Sequence, residues 1–353
     1  PDAMMTHPTG GWAFFLHNSA IKSFLLNLPA LRQSFQWHYK GFCDKIKVAI
    51  EKREVLRMMT IREYKRAESL EEAWQLNQKR NNRVIGGMIW LKMENINVGT
   101  AIDLSGLGLD KIEETAEGFS IGAMVPLRQI ELHERLNAYT EGAVRESVRH
   151  IVGVQLRNLA TVGGSIYSRF GFSDVLTMFL ALDSWVELYH GGLVPMERFA
   201  AEGAENDILV RVIVKKEKRR YAYLSHRNTK TDFPVMACAV AVGEGWRSGE
   251  GERAAGRAVF GATPARARSY ELPAEWLERF QGSGEEERKV LAAELASVVP
   301  TGSNIRAGKE FRSHLAGVLL YRGLMEALYG GSGQAAGAGA PACLTKEKEG
   351  QRA

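Results

Sequence analysis

From residue 58 onward the chain alternates between two periods of apolar positions. Short β-branched or alternating runs at 60–66, 84–85, 119–123, 185–189, 207–214, 221–226, 235–242 and 258–261 predict strands. The helix signals are local. Ser69-Leu-Glu-Glu72 is a capping box, so a helix begins at Leu70 and runs to about Lys79, where Asn81 and Asn82 end it. Strand, helix, strand and a turn at Gly86 and Gly87 make a small βαβ unit. Pro126 suits the first turn of a helix reaching Asn137, and a second helix covers 141–154. A third begins at Ser173 and Asp174, with Val175, Leu176, Phe179, Leu180 and Leu182 on its buried side. Gly191 and Gly192 between two strand runs signal a hairpin. The last three strands read as antiparallel, and helices over 284–298 and 308–329 close the fold. In the final helix Phe311, Leu315, Val318, Leu319 and Met325 form one apolar stripe.

Residues 1–57 carry no such period until about Gln33, and they begin with Pro1 rather than Met. We expect them to be an extension outside the working fold, with Met58 or Met59 as a natural start; a genuine amphipathic arm is the alternative. The Gly/Ala/Ser-rich stretch 331–353 should be a disordered tail. No tandem repeat is visible.

Composition narrows the classes. With 45% apolar and 25% charged residues among 353, the chain is a globular protein of two or three subdomains rather than a disordered one. The net charge is +5, but residues 1–57 hold eight Lys or Arg against four acids and so account for +4 of it. Lys215-Lys-Glu-Lys-Arg-Arg220, the one basic run of the remainder, reads as a solvated hairpin turn between strands rather than a nucleic-acid site. Cys43, Cys238 and Cys343 form no C-x-x-C pair, so neither a zinc site nor an iron–sulfur cluster has ligands here, and a reducing, cytoplasmic location is expected. The apolar stretch 11–31 is interrupted by His17, Asn18, Lys22 and Asn27, which argues against a membrane span.

Two glycine pairs are the candidate chemistry. Val84-Ile-Gly-Gly-Met-Ile-Trp-Leu91 is a strand emptying into Gly86 and Gly87, and Asn158-Leu-Ala-Thr-Val-Gly-Gly-Ser-Ile166 carries Gly163 and Gly164. Paired glycines let backbone N–H groups converge and let a diphosphate approach the bare Cα. Neither is a G-x-G-x-x-G or P-loop signature, and either alone is explained by a tight turn. Ser173 and Asp174 suit a ligand contact or simply an N-cap with a dipole-complementing acid. Thr161 offers a hydroxyl to a ligand or fills a strand position.

The ordered combination is more specific. Gly86 and Gly87 after a strand, Ile121-Gly-Ala-Met-Val-Pro-Leu-Arg-Gln-Ile130, Gln155-Leu-Arg-Asn-Leu-Ala-Thr-Val-Gly-Gly-Ser-Ile166 with Ser173 and Asp174, Phe260-Gly-Ala-Thr-Pro-Ala-Arg-Ala-Arg268, and Asn304-Ile-Arg-Ala through His314-Leu-Ala-Gly-Val-Leu-Leu320 follow one another. Over about 59–329 the chain thereby resembles the FAD-binding medium subunit of the xanthine dehydrogenase and carbon monoxide dehydrogenase family of molybdenum hydroxylases. That resemblance implies an α+β fold: a two-part PCMH-type FAD-binding domain at 58–115 and 116–220, then a smaller α+β C-terminal domain with an antiparallel sheet at 221–330. It implies that Ile85, Gly86, Gly87, Met88, Ile89 and Trp90 wrap the FAD diphosphate. Thr161, Gly163, Gly164 and Ser165 would contact the diphosphate, ribityl or flavin portion, with Ser173 beside them. Asp174 would accept from a ribityl or ribose hydroxyl, while Ile151 and Leu209 would flank the adenine.

Two departures stand out. Ser165 occupies a position where many relatives carry Asn. Leu224 and Ser225 stand where members often have a Lys near the flavin, leaving Arg227 or Lys230 as substitutes. No cysteine group marks the insertion that holds an additional iron–sulfur cluster in some members. The resemblance implies partners, a molybdenum-cofactor large subunit and a [2Fe–2S] small subunit, and an electron acceptor, NAD⁺ or another. Hydride transfer from a flavin asks for no side-chain acid, base or nucleophile, so no catalytic residue is nominated. A self-contained reductase of the UDP-N-acetylenolpyruvoylglucosamine reductase type is the alternative; it would act alone, whereas a medium subunit would co-purify with two others.

Overall fold

The structure is a computed structural model describing residues 59–244 and 255–330. The expectations for 1–57 and 331–353 lie outside the described residues. The first sheet holds β1 (Thr60–Arg66), β2 (Arg83–Ile85) and β3 (Asn97–Asp103) in the order β1-β3-β2, with both outer strands parallel to β3. Helix α1 (Leu70–Asn77) connects β1 to β2. Its cap forms largely as the sequence implies: Ser69 Oγ accepts from the Glu72 N–H at 3.1 Å. The Glu72 carboxylate reaches one residue farther back than a capping box requires, accepting from the Glu68 N–H at 2.7 Å. The βαβ unit forms in split form: β1 and β2 are parallel and joined by α1, but they are not neighbours. The unpredicted β3 lies between them, burying Val98, Ala101 and Ile102. Gly99 and Ala101 dilute its strand signal, and two flanking backbones supply what its side chains do not.

The second sheet is antiparallel, β4-β5-β8-β6-β7, built from β4 (Ile112–Glu114), β5 (Gly118–Gly122), β6 (Ser184–Leu188), β7 (Gly192–Pro195) and β8 (Leu209–Lys215). Between β5 and β6 come α2 (Leu127–Leu132), α3 (Glu134–Tyr139), α4 (Ala143–Arg149), α5 (Val154–Leu159), α6 (Val162–Tyr167) and α7 (Asp174–Ala181). Helix α8 (Met196–Glu202) joins β7 to β8. The predicted helix from Pro126 to Asn137 is two helices, broken where His133 leaves helical ψ and its Nδ1 caps the Leu136 N–H at 3.1 Å. The predicted 141–154 helix is shorter, because Glu141 and Val152 adopt positive φ at either end. Gly191 and Gly192 do turn a hairpin, with Leu188 opposite Gly192.

The third sheet, β12-β11-β10-β9, is antiparallel and comprises β9 (Arg219–Arg227), β10 (Pro234–Gly243), β11 (Gly256–Gly261) and β12 (Arg268–Leu272). Helices α9 (Ala274–Gly282), α10 (Glu285–Ala296) and α11 (Lys309–Tyr329) cover one face. Strand alternation divides β10 from Met236 onward. Met236, Cys238, Val240 and Val242 join the helices, while Ala237, Ala239 and Ala241 join the core of the second sheet. On β9 the same period turns Tyr221 and Tyr223 toward that core and Ala222 and Leu224 away from it. Phe311 stays exposed outside the expected stripe, whereas Leu315 and Leu319 are buried.

The basic run does not turn a hairpin: it passes from β8 in one sheet to β9 in another. Its cations have local partners, Lys216 with Glu114 at 2.8 Å, Arg219 with Glu217 at 2.7 Å and Arg220 with Glu141 at 3.0 Å. Among the described residues no helix is long and apolar enough to cross a membrane.

Candidate functional site

All fourteen residues singled out from the sequence line one cavity of about 740 Å³. That volume falls in the upper half of the range for small-molecule and cofactor sites. The cavity draws its walls from all three sheets, and the elements contribute different chemistry.

Strand β2 delivers the first wall. Ile85 is buried at its end, and Gly86, Gly87, Met88, Ile89 and Trp90 follow as a loop before a 3₁₀ turn at Leu91–Met93. Among the described residues none of the N–H groups of 86–90 donates to a protein acceptor. A run of such unpaired donors in a concavity is an anion-binding arrangement. Met88 sits at φ 54°, a strained region for a side-chain-bearing residue.

Helix α6 forms the facing wall, and its donors are already used. Val162 N–H donates to Val125 O at 2.9 Å and Gly163 N–H to Ala123 O at 2.8 Å. Gly164 N–H donates to Thr161 Oγ1 at 3.1 Å and Ser165 N–H to Thr161 O at 3.0 Å. Thr161 is thus an N-cap, held in an isolated β-bridge to Pro126. The second glycine pair therefore contributes shape rather than donors. A Cβ on Gly163 would lie 2.6 Å from Ala123 O, and one on Gly87 only 2.0 Å from Leu159 O. A Cβ on Gly86 would lie 2.8 Å from Thr161 Oγ1. Gly86 and Gly87 let the loop after β2 dock on the segment leading into α6, while Gly163 lets α6 itself pack against Ala123.

Ser173 and Asp174 open α7. Ser173 Oγ accepts from the Leu176 N–H at 3.1 Å and donates to Ser165 O at 2.9 Å, tying α7 to α6. Asp174 is 4% exposed and accepts from the Tyr223 hydroxyl and from Arg227 Nη2 at 2.6 Å. Burial pushes its carboxyl up, against the pull of Arg227 and the Tyr223 bond. Leu209 enters from the start of β8, and Ile151 from the bend between α4 and α5. That bend is held by Arg157, which donates from Nε to Glu131 at 2.7 Å and from Nη1 to Ile151 O at 3.2 Å. Burial alone would raise the Glu131 carboxyl, but Arg157 and Arg128 outweigh it and hold it down. Beside the bend, burial and the surrounding Arg149, Arg227, Lys230 and Arg157 push His150 down to about 4, so it is neutral near pH 7.

Sequence reasoning left out an aromatic cluster on the same cavity. Trp90 meets Phe172 and Phe233 with ring centroids at 5.4 Å, and Phe170 stacks on Phe172 at 5.0 Å. Phe170-Gly-Phe172 just before Asp174 is visible in the sequence, but nothing in the chain announces that Phe233 joins it. Arg227, a substitute flavin-side cation by the family resemblance, lines the same cavity and pairs with Asp174. Strain also gathers here. Met88, Val152 and Asn206 line the cavity at positive φ, each costing of order 1–3 kcal/mol. Free amide donors, a buried carboxylate and a ring cluster together suit a ligand with a diphosphate, hydroxyls and planar rings. Those are the parts of a dinucleotide such as FAD.

Comparison with known proteins agrees with that chemistry. Residues 57–216 match the family described as the FAD binding domain in molybdopterin dehydrogenase. The chain is 25% identical over 186 residues to the uncharacterized protein YgfM of Escherichia coli (strain K12), covering 52% of this chain and 70% of that one. It is 38% identical over 90 residues to the aldehyde oxidoreductase FAD-binding subunit PaoB of the same organism, 24% of this chain and 28% of that one. Among solved structures, carbon monoxide dehydrogenase from Hydrogenophaga pseudoflava superposes with a TM-score of 0.65 at 21% identity, covering 75% of this chain and 96% of its own. Quinoline 2-oxidoreductase from Pseudomonas putida 86 does so with a TM-score of 0.65 at 19% identity, covering 76% and 97%. These likenesses establish the α+β fold, and they extend beyond the FAD-binding half into the C-terminal domain. Residues 57–216, a little under half of the chain, are thus similar to the FAD-binding domain of molybdopterin dehydrogenases.

Proposed function

We propose that this chain is the FAD-carrying electron-transfer subunit of a xanthine dehydrogenase-like molybdenum hydroxylase. It would take electrons from a [2Fe–2S] subunit, itself served by a molybdenum-cofactor subunit, and pass them to NAD⁺ or another acceptor. We also place it in the cytoplasm, on its three widely spaced cysteines. The observation that carries the reading is the set of unpaired N–H groups at 86–90 sharing one cavity with the buried Asp174 carboxylate.

FAD supplies the junction between one-electron and two-electron transfer. The chain's own residues bind and orient. The N–H groups of Gly86, Gly87, Met88, Ile89 and Trp90 would donate to the diphosphate oxygens, charge-assisted bonds of about 1.5–3 kcal/mol each. Gly163 and Gly164 let the cofactor approach α6 closely, with Thr161, Ser165 and Ser173 shaping that wall. Asp174 would accept a ribityl or ribose hydroxyl, Ile151 and Leu209 would flank the adenine, and the Trp90–Phe172–Phe233 rings would exclude water from a planar ring. The alternative of a self-contained reductase is disfavoured because the fold likeness runs through the C-terminal domain, covering 96% of the carbon monoxide dehydrogenase chain.

The test is reconstitution. The purified chain mixed with FAD and desalted should retain flavin absorbance at one equivalent, and the native protein should co-elute with molybdenum and iron–sulfur subunits. A colourless chain would refute the cofactor assignment; a lone, fully active reductase would refute the partners.

A further inference from the structure

The FAD-binding half does not complete its own cavity. Arg227 lies at the end of β9, outside the matched 57–216 segment, and it reaches Asp174 on α7. Every guanidinium nitrogen has a partner: Nη2 donates to Asp174 Oδ1 at 2.6 Å, Nη1 to Asp232 O at 2.6 Å and Nε to Ser225 Oγ at 3.3 Å. Both termini of this pair are buried, with side chains 7% and 5% exposed. The Tyr223 hydroxyl, four residues earlier on β9, donates to the same Oδ1. Neither donor occupies Oδ2. A planar side chain held at three nitrogens cannot swing away from the carboxylate, so the position of Asp174 is dictated from the C-terminal sheet.

We propose that Arg227 is a positioning residue for FAD: it keeps the Asp174 carboxylate ionised and aimed as the acceptor for a cofactor hydroxyl. The FAD-binding half then holds its cofactor fully only with β9 in place. This inference rests on the reading of Asp174 as a cofactor contact. The charged and titratable groups around the pair are few. Tyr223 and Arg227 face Asp174 from β9, and Cys238 of β10 adjoins Tyr223. Arg227 in turn faces Glu146 of α4 and the neutral His150 just after it. Burial already pushes the Asp174 carboxyl up, so removing the one cation that touches it raises it further.

The experiment titrates FAD into the full apo chain by flavin fluorescence, between about pH 6 and 9, the span over which a raised carboxylate titration would show. The variants are Arg227→Met, Arg227→Lys, Asp174→Asn, Tyr223→Phe and the double Asp174→Asn/Arg227→Met, with thermal unfolding of each apo protein alongside. Arg227→Met should weaken FAD binding at least about tenfold at neutral pH, as loss of a charged hydrogen-bond partner implies, and the loss should grow as pH falls. Arg227→Lys should recover most of it. The double variant should bind no more weakly than Asp174→Asn, because the two residues act through one contact. Should Arg227→Met leave a bare buried carboxylate and fail to fold, the lysine and double variants still carry the comparison. Binding by Arg227→Met within twofold of the parent at every pH, or a double variant that binds more weakly than Asp174→Asn, would overturn the inference. An Asp174→Asn variant that binds FAD like the parent would instead overturn the underlying reading of Asp174, and the inference with it.

Discussion

The loop after β2 and the first turn of α6 each bring two adjacent glycines to one cavity, yet their backbones do different things. The N–H groups of 86–90 have no protein acceptor among the described residues, while those of 162–165 are satisfied by Val125, Ala123 and Thr161. The same dipeptide therefore packs closely on both sides but leaves its donors open on only one. Whether they stay open depends on the backbone lying opposite. The carbonyls of Ala123 and Val125, just past β5, accept from α6, whereas among the described residues no carbonyl accepts from the loop after β2.

That contrast can be broken residue by residue. Gly87→Ala should do the most damage, because its Cβ would lie 2.0 Å from the Leu159 carbonyl oxygen and 2.5 Å from its carbon. Backbone cannot rotate aside as a side chain can, so the cost should reach the top of the overpacking range, about 3 kcal/mol, or about a hundredfold in FAD affinity. Thermal unfolding and FAD titration together would read it. Gly163→Ala comes next: its Cβ would meet Ala123 O at 2.6 Å and Ala123 Cβ at 2.8 Å. It should lower stability by about 1–3 kcal/mol. FAD affinity should fall less than for Gly87→Ala, and Ala123→Gly should restore part of the stability. Thr161→Ala removes the α6 cap and should cost about 1 kcal/mol in denaturant unfolding. Gly164→Ala should be mildest, since only the Thr161 hydroxyl lies near, at 3.1 Å, and Ala favours the helix. Stability should hold within about 0.5 kcal/mol, while affinity falls about fivefold, near 1 kcal/mol, if the cofactor approaches that Cα.

Much of this was legible in the chain. The Ser69 cap, the β6–β7 hairpin at Gly192 and the alternation of β10 are local patterns, and local patterns survive folding. The order of motifs also brought the glycine pairs, Ser173, Asp174, Ile151 and Leu209 to one place. What escaped depends on distant partners. Strand β3 is a strand because β1 and β2 flank it, not because Asn97-Val-Gly-Thr-Ala-Ile-Asp103 insists on it. The break at Val152 follows from the Arg157 bonds to Glu131 and the Ile151 carbonyl, which no helical period encodes. Phe233 and Arg227 reach the cavity because β9 and β10 form a hairpin against α7, so their roles appear only once the third sheet is placed.

Amide hydrogen exchange with and without FAD tests the contrast most directly. In the apo chain the amides of 86–90 should exchange fast and those of 162–165 slowly, following their hydrogen bonds. Adding FAD should slow 86–90 markedly and leave 162–165 nearly unchanged. Slowing confined to 162–165, with 86–90 unaltered, would contradict the assignment of the diphosphate to the loop after β2.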